Sequence, residues 1–221
     1  MRRLALAFLF IAAACGGSLK YSIDDNVIAG VPAQEREPIN LARTDAMRSE
    51  DALREAQRLE QTTKNELELA ENEYKSAKLQ RDSAKVNRTA AEQSGDFNRK
   101  NKAEIEFNVA EKAAEAGDAK VDWMSKKKKW ASLMREAAEE SVAGGKSKVE
   151  LEKAKICAAK NIRPSEKFNV LEFEQQSLEK QQKYNDKRRD ADELKVKVDD
   201  LERKWLAKKQ TTETARTAIP H

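Results

Sequence analysis

The chain is poor in the side chains on which enzymes of its size rely. Its 221 residues include one histidine, two cysteines, four prolines and seven glycines. The histidine is His221, so no His base, no Ser/His/Asp arrangement and no histidine metal set can be assembled. There is no glycine-rich phosphate loop and no cysteine cluster of zinc spacing. Carboxylates are plentiful, but pairs such as Asp24 with Asp25 or Asp199 with Asp200 read as surface charge in a chain with 39 acids. No enzyme, metal site, cofactor or small-molecule substrate is therefore expected. Helix breakers are as scarce as catalytic groups. Between residues 39 and 210 they are Gly95, Gly117, Gly144, Gly145 and Pro164.

What fills the chain is helix-forming residues. Thirty-three Ala, 26 Glu, 17 Leu and 43 Lys plus Arg make up more than half of it. That is the composition of long helices and coiled coils rather than of a compact α/β enzyme. The charge is dense but balanced: setting Arg2 and Arg3 aside leaves 41 basic against 39 acidic residues. Such mixing gives a solvated surface laced with ion pairs, not a phosphate-binding face, so nucleic acid is not an expected partner.

The first residues stand apart. Met1-Arg2-Arg3 is basic, residues 4–14 are uninterruptedly apolar, and Cys15 follows. Eleven residues span about 16 Å as a helix, half of a bilayer core, so the run suits a secretory signal rather than a transmembrane anchor. The stretch Ala12-Ala13-Ala14-Cys15-Gly16-Gly17 resembles the lipobox of bacterial lipoproteins. The resemblance implies cleavage between Ala14 and Cys15, with diacylglycerol and acyl chains carried covalently on Cys15. It further implies a membrane partner through that lipid. Gly16, in place of a retention Asp, favours the outer membrane of the bacterial cell envelope. Ala12-x-Ala14 also suits ordinary signal peptidase, which would leave a secreted, unacylated chain. If Cys15 is capped, Cys157 has no partner within the chain, and either burial or an intermolecular disulfide accounts for it.

Residues 15–38, with three glycines, Pro32 and Pro38, read as a lipidated N-terminus and an extended flexible tether. From Ala42 a heptad runs through Ser49, Ala56, Thr63, Ala70, Ala77, Ala84 and Ala91, partnered by Ala46, Leu53, Glu60, Leu67, Tyr74, Arg81 and Arg88. A strict seven-residue repeat of small residues predicts a closely spaced left-handed coil. Gln93-Ser94-Gly95-Asp96 ends that helix and opens the next. The second helix carries two adjacent stripes. One is Ala103, Ala110, Gly117, Met124, Ala131 and Ala138 with Phe107, Ala114, Val121, Lys128, Arg135 and Val142. The other is Ile105, Val109, Ala113, Ala116, Trp123, Trp130, Met134 and Ala137, so this helix is expected to touch two partners.

Gly144-Gly145 predicts a kink or turn, and Ser165-Glu166 after Pro164 opens the last helix. The expectation is an all-α body over residues 39–210, with helices at about 40–93, 97–143, 147–161 and 165–209. They fold back as an elongated antiparallel, three-helix coiled-coil rod, and residues 211–221 fray. One candidate interaction patch stands out: Trp123, Lys126, Lys127, Lys128, Lys129 and Trp130, two Trp seven apart on one face with four Lys between them. It suits an anionic polymer or headgroup surface; alternatively the two Trp anchor a helix interface and the lysines are solvated. Together these features lead us to expect a lipid-anchored envelope spacer, scaffold or docking rod that associates with another envelope protein or with itself through its seams. The alternatives are an accessory of an envelope transport or efflux assembly, or a periplasmic holdase.

Overall fold

The computed structural model describes residues 19–217. The signal-like stretch, Ala14, Cys15 and His221 lie outside the described residues. Among those described there is no strand. Two single-turn 3₁₀ helices, Asp25–Ile28 and Ala33–Arg36, precede three long helices: α1, Glu37–Gln93; α2, Phe97–Ala159; and α3, Val170–Thr217. Each long helix contributes to two compact units. Unit 1 holds residues 19–50 and Glu139–Lys183; unit 2 holds Asp51–Ala138 and residues 184–217.

Helix ends follow local chemistry. Pro38 sits in the first turn of α1, where a missing N–H is harmless. Gly95 takes φ +72° after α1, and the Asp96 carboxylate accepts from the N–H groups of Asn98 and Arg99 at 2.9 and 3.2 Å to start α2. At the far end of α2, Asn161 takes the left-handed conformation, φ 57°. Its N–H donates to the Ala158 carbonyl, and the Ile162 N–H donates to the Cys157 carbonyl at 2.8 Å. That pair of bonds is the Schellman closure, made with Asn where Gly is usual. Asn169 then caps α3, its side chain accepting from the Leu171 N–H at 3.1 Å. The last helix therefore begins at Val170, five residues after the expected Ser165 start, because residues 164–169 make the turn.

Two further expectations are corrected. Gly144-Gly145 does not turn the chain back; α2 runs through both, so the two helices expected at 97–143 and 147–161 are one. A Cβ on Gly145 would meet the Ala46 backbone at 2.9 Å, whereas one on Gly144 would meet nothing within 4 Å. Close approach of α1 explains Gly145. At the other end, residues 211–217 are helical rather than frayed. Thr212 is buried there, and its hydroxyl donates to the Lys112 carbonyl at 3.1 Å.

In unit 2 the heptads settle the packing. Ala56, Thr63, Ala70 and Ala91 of α1 are buried, as are Ala103, Phe107, Ala114, Met124 and Ala131 of α2. The ion pairs Arg135–Glu60, Lys127–Glu66, Lys120–Glu73 and Arg88–Glu104 run in opposite directions along the two helices, which are therefore antiparallel. The second stripe of α2 meets α3, also antiparallel: Trp123 stacks on Trp205, Lys187 pairs with Glu136, and Thr212 reaches Lys112. In unit 1, taken by itself, Lys146–Glu50 and Lys148–Asp45 pair α2 with α1, over buried Ala42, Ala46, Val142 and Val149.

Candidate functional site

The segment expected to be an extended tether is instead folded onto unit 1. Ile23, Ile28 and Val31 are buried in a cluster with Ile39, Val149, Ala154, Cys157 and Phe173. Asp24 caps the first 3₁₀ turn by accepting from the Asn26 N–H at 2.8 Å, which turns the chain so that Asp25 and Ile28 face the helices. Residues 21–31 thus form a strap across α2 and α3.

Its polar attachment is concentrated on a few side chains. Gln176 of α3 bonds both backbone groups of Tyr21: its carbonyl oxygen accepts from the N–H and its amide donates to the C=O, each at 2.9 Å. The Tyr21 hydroxyl donates to Glu172 at 3.2 Å. On α2, the Glu150 carboxylate accepts from the Ile23 N–H at 2.6 Å, and the Lys153 ammonium donates to the Ile23 carbonyl at 2.9 Å. Lys153 is buried, 5% exposed, and also holds Glu150 at 2.8 Å and Asp25 at 2.7 Å, so its three N–H groups meet three acceptors. Burial pulls the Lys153 amine down, but hydrogen bonds to Asp25 and Glu150 more than offset this, and the net displacement is upward. The Lys153 hydrogen bond, with Arg43 nearby at 2.9 Å, holds the Asp25 carboxyl below its ordinary value.

Cys157 lies in the same buried cluster and is a free thiol, raised in pKa by burial. Both features belong to a packed residue rather than an activated nucleophile. The Trp and Lys patch is divided among several contacts. Trp123 stacks on Trp205 with centroids 4.7 Å apart and planes 9° from parallel. Lys127 lies over the Trp123 ring and pairs with Glu66 at 2.8 Å, while Lys195 of α3 covers Trp130. Lys126 and Lys129 border a shallow groove with Leu201, and Lys128, although on a seam series, is exposed. The two Trp face α3 and so serve the helix interface. Asp199 and Asp200 pair with lysines of their own helix.

The Lys153 centre was not foreseen in the sequence; its nearest signal was the charge pair Glu150 and Lys153 three apart in the small-residue end of α2. A second feature, in unit 2, is an open trench of about 520 Å³ over Ala113, Ala116 and Gly117, flanked by Ser76, Trp205 and Arg216. Among the described residues, no three His, Cys, Asp or Glu side chains converge to hold a metal ion, and no helix is long and apolar enough to cross a membrane. Compared with known protein families, curated proteins and solved structures, the chain shows no match.

Proposed function

We propose that the chain is a lipid-anchored protein of the bacterial cell envelope, attached to the outer membrane through acylated Cys15, whose helical body serves as a structural scaffold on which another envelope protein docks. The observation that carries this reading is the short link between the lipobox-like cysteine and the folded body. Tyr21 is already bonded to α3, six positions after Cys15. So short a link reaches at most about 20 Å, so an acyl anchor would hold unit 1 close to the bilayer. Lasting attachment follows from several acyl chains on one residue, each buried methylene contributing about 0.8 kcal/mol. The body supports a scaffolding role because its small seam residues are spent on helix–helix contact, while larger apolar side chains such as Leu41, Met47, Leu79 and Val86 stay exposed among the charged residues, where a partner could cover them.

The test is the intact mass of the membrane-extracted protein, alongside Cys15→Ser and cells with signal peptidase II blocked. A mature chain beginning at Cys15 with acyl mass, released to the soluble fraction by Cys15→Ser, is expected. Crosslinking in intact cells should then capture a defined envelope partner. An unacylated soluble chain cut after Ala14 would overturn the reading.

A further inference from the structure

We infer that residues 21–31 are a latch: they open and close over unit 1 while the long helices stay folded, and Lys153 is the group that holds them shut. Four hydrogen bonds tie the strap backbone to the helices, two at Tyr21 and two at Ile23, and all four use side chains of α2 or α3. No backbone ladder joins strap and helix. The 3₁₀ turn at Asp25–Ile28 is closed by bonds within the strap itself, such as the Ala29 N–H to the Asn26 carbonyl. Apolar attachment comes from the buried Ile23, Ile28 and Val31, with Tyr21 and Val27 half-buried against the same cluster and the Tyr21 ring tilted against Phe173. The helices, by contrast, are secured by their own ladders and by the α1–α2 seam, which the strap meets in unit 1 at the cluster that holds Ala42, Ala46 and Val149. A segment held by few contacts at its edge is the unit that opens first.

Lys153 is decisive because it joins three parts at one point: the Ile23 carbonyl and Asp25 carboxylate of the strap, and Glu150, which itself accepts from the Ile23 N–H. Without the ammonium, Glu150 stays largely buried with its charge uncompensated, and the strap loses two of its bonds together. When the strap is out, unit 1 presents Val149, Ala154, Cys157 and Phe173, an apolar strip with one thiol. The inference concerns the fold alone and does not depend on acylation of Cys15.

The buried thiol supplies the readout. In full-length protein carrying Cys15→Ser, Cys157 is the one remaining cysteine, and its modification by a small thiol reagent reports opening. Labelling is expected to run far faster than global unfolding followed by loss of helical circular dichroism. Lys153→Met should raise the labelling rate about tenfold or more and Asp25→Ala, with its largely exposed carboxylate, about two- to fivefold, while the helical melting midpoint falls by no more than a few degrees. Ile28→Ala should act likewise from the apolar side. The Asp25 side chain is 64% exposed and lies outside the long helices, so its removal keeps the test sound even if Lys153→Met unfolds the protein. Labelling at the rate of global unfolding would overturn the latch, as would acceleration by Lys153→Met with none from Asp25→Ala or Ile28→Ala.

Discussion

Gly144 and Gly145 look alike in the sequence and differ in space. On Gly145 a methyl would press into the Ala46 backbone, which has no side-chain freedom with which to yield, so Gly145→Ala is expected to destabilise by about 1–3 kcal/mol. Gly144→Ala meets open space inside a helix and should stabilise by about 0.5–1 kcal/mol. Urea unfolding of the two single variants checks the pair, and equal midpoints would mean the helices do not approach at Gly145. This contrast also shows why the break was misread from sequence. Two adjacent glycines carry the same local signal whether the backbone must bend or must admit a neighbour, and only the opposing helix decides. At Gly95, where φ is positive, the local signal and the structure agree.

Among the elements, α2 was the most legible, since its two stripes anticipate contact with both α1 and α3. The stacked Trp123 and Trp205 should make one of the larger single contributions to α3 docking. Trp205→Ala is expected to cost about 2–4 kcal/mol and to appear as a lowered urea midpoint together with a changed Trp123 emission. The strap was illegible for a physical reason: Tyr21, Ile23, Ile28 and Val31 follow no helical or strand period, and their partners lie more than a hundred residues away. Its charge chemistry predicts a pH response. Asp25, facing Lys153 and Arg43 with Glu150 beside them, has its carboxyl lowered, so its contribution is complete above its ordinary value near pH 4 and is lost as pH falls through the depressed one. Lys153 is raised, so its contribution is complete below its ordinary value near 10.5 and disappears only above the raised one. Cys157 labelling with a pyridyl disulfide, which reacts in acid, divided by the rate for a free thiol peptide at the same pH, should therefore rise below about pH 4 and stay flat from pH 5 to 9. A flat profile through the acid range would remove Asp25 from the latch.

For the molecule as a whole, the balance of charges is less a source of stability than of solubility. Most of the ion pairs between helices have side chains a quarter to a half exposed, as with Lys120–Glu73 and Lys127–Glu66, and pairs of this kind contribute about 0–1 kcal/mol each. Raising the salt concentration to about 1 M, where screening is nearly complete at these distances, should leave the helical melting midpoint almost where it was. A large drop would assign the stability to the ion pairs instead of the small-residue seams. The seams link positions of steadily growing separation, from Arg88 with Glu104 near the Ser94–Gly95 turn out to Asp45 with Lys148. The strap spans more: Tyr21 waits for Gln176, 155 positions later, and Ile23 for Glu150, 127 later. Synthesis runs from the N-terminus, so the first described residues to leave the ribosome are among the last to find their places. A chain that stops short of Gln176 has no partner for the Tyr21 backbone, and closure of the strap thus records that the polypeptide has been made through to its third helix.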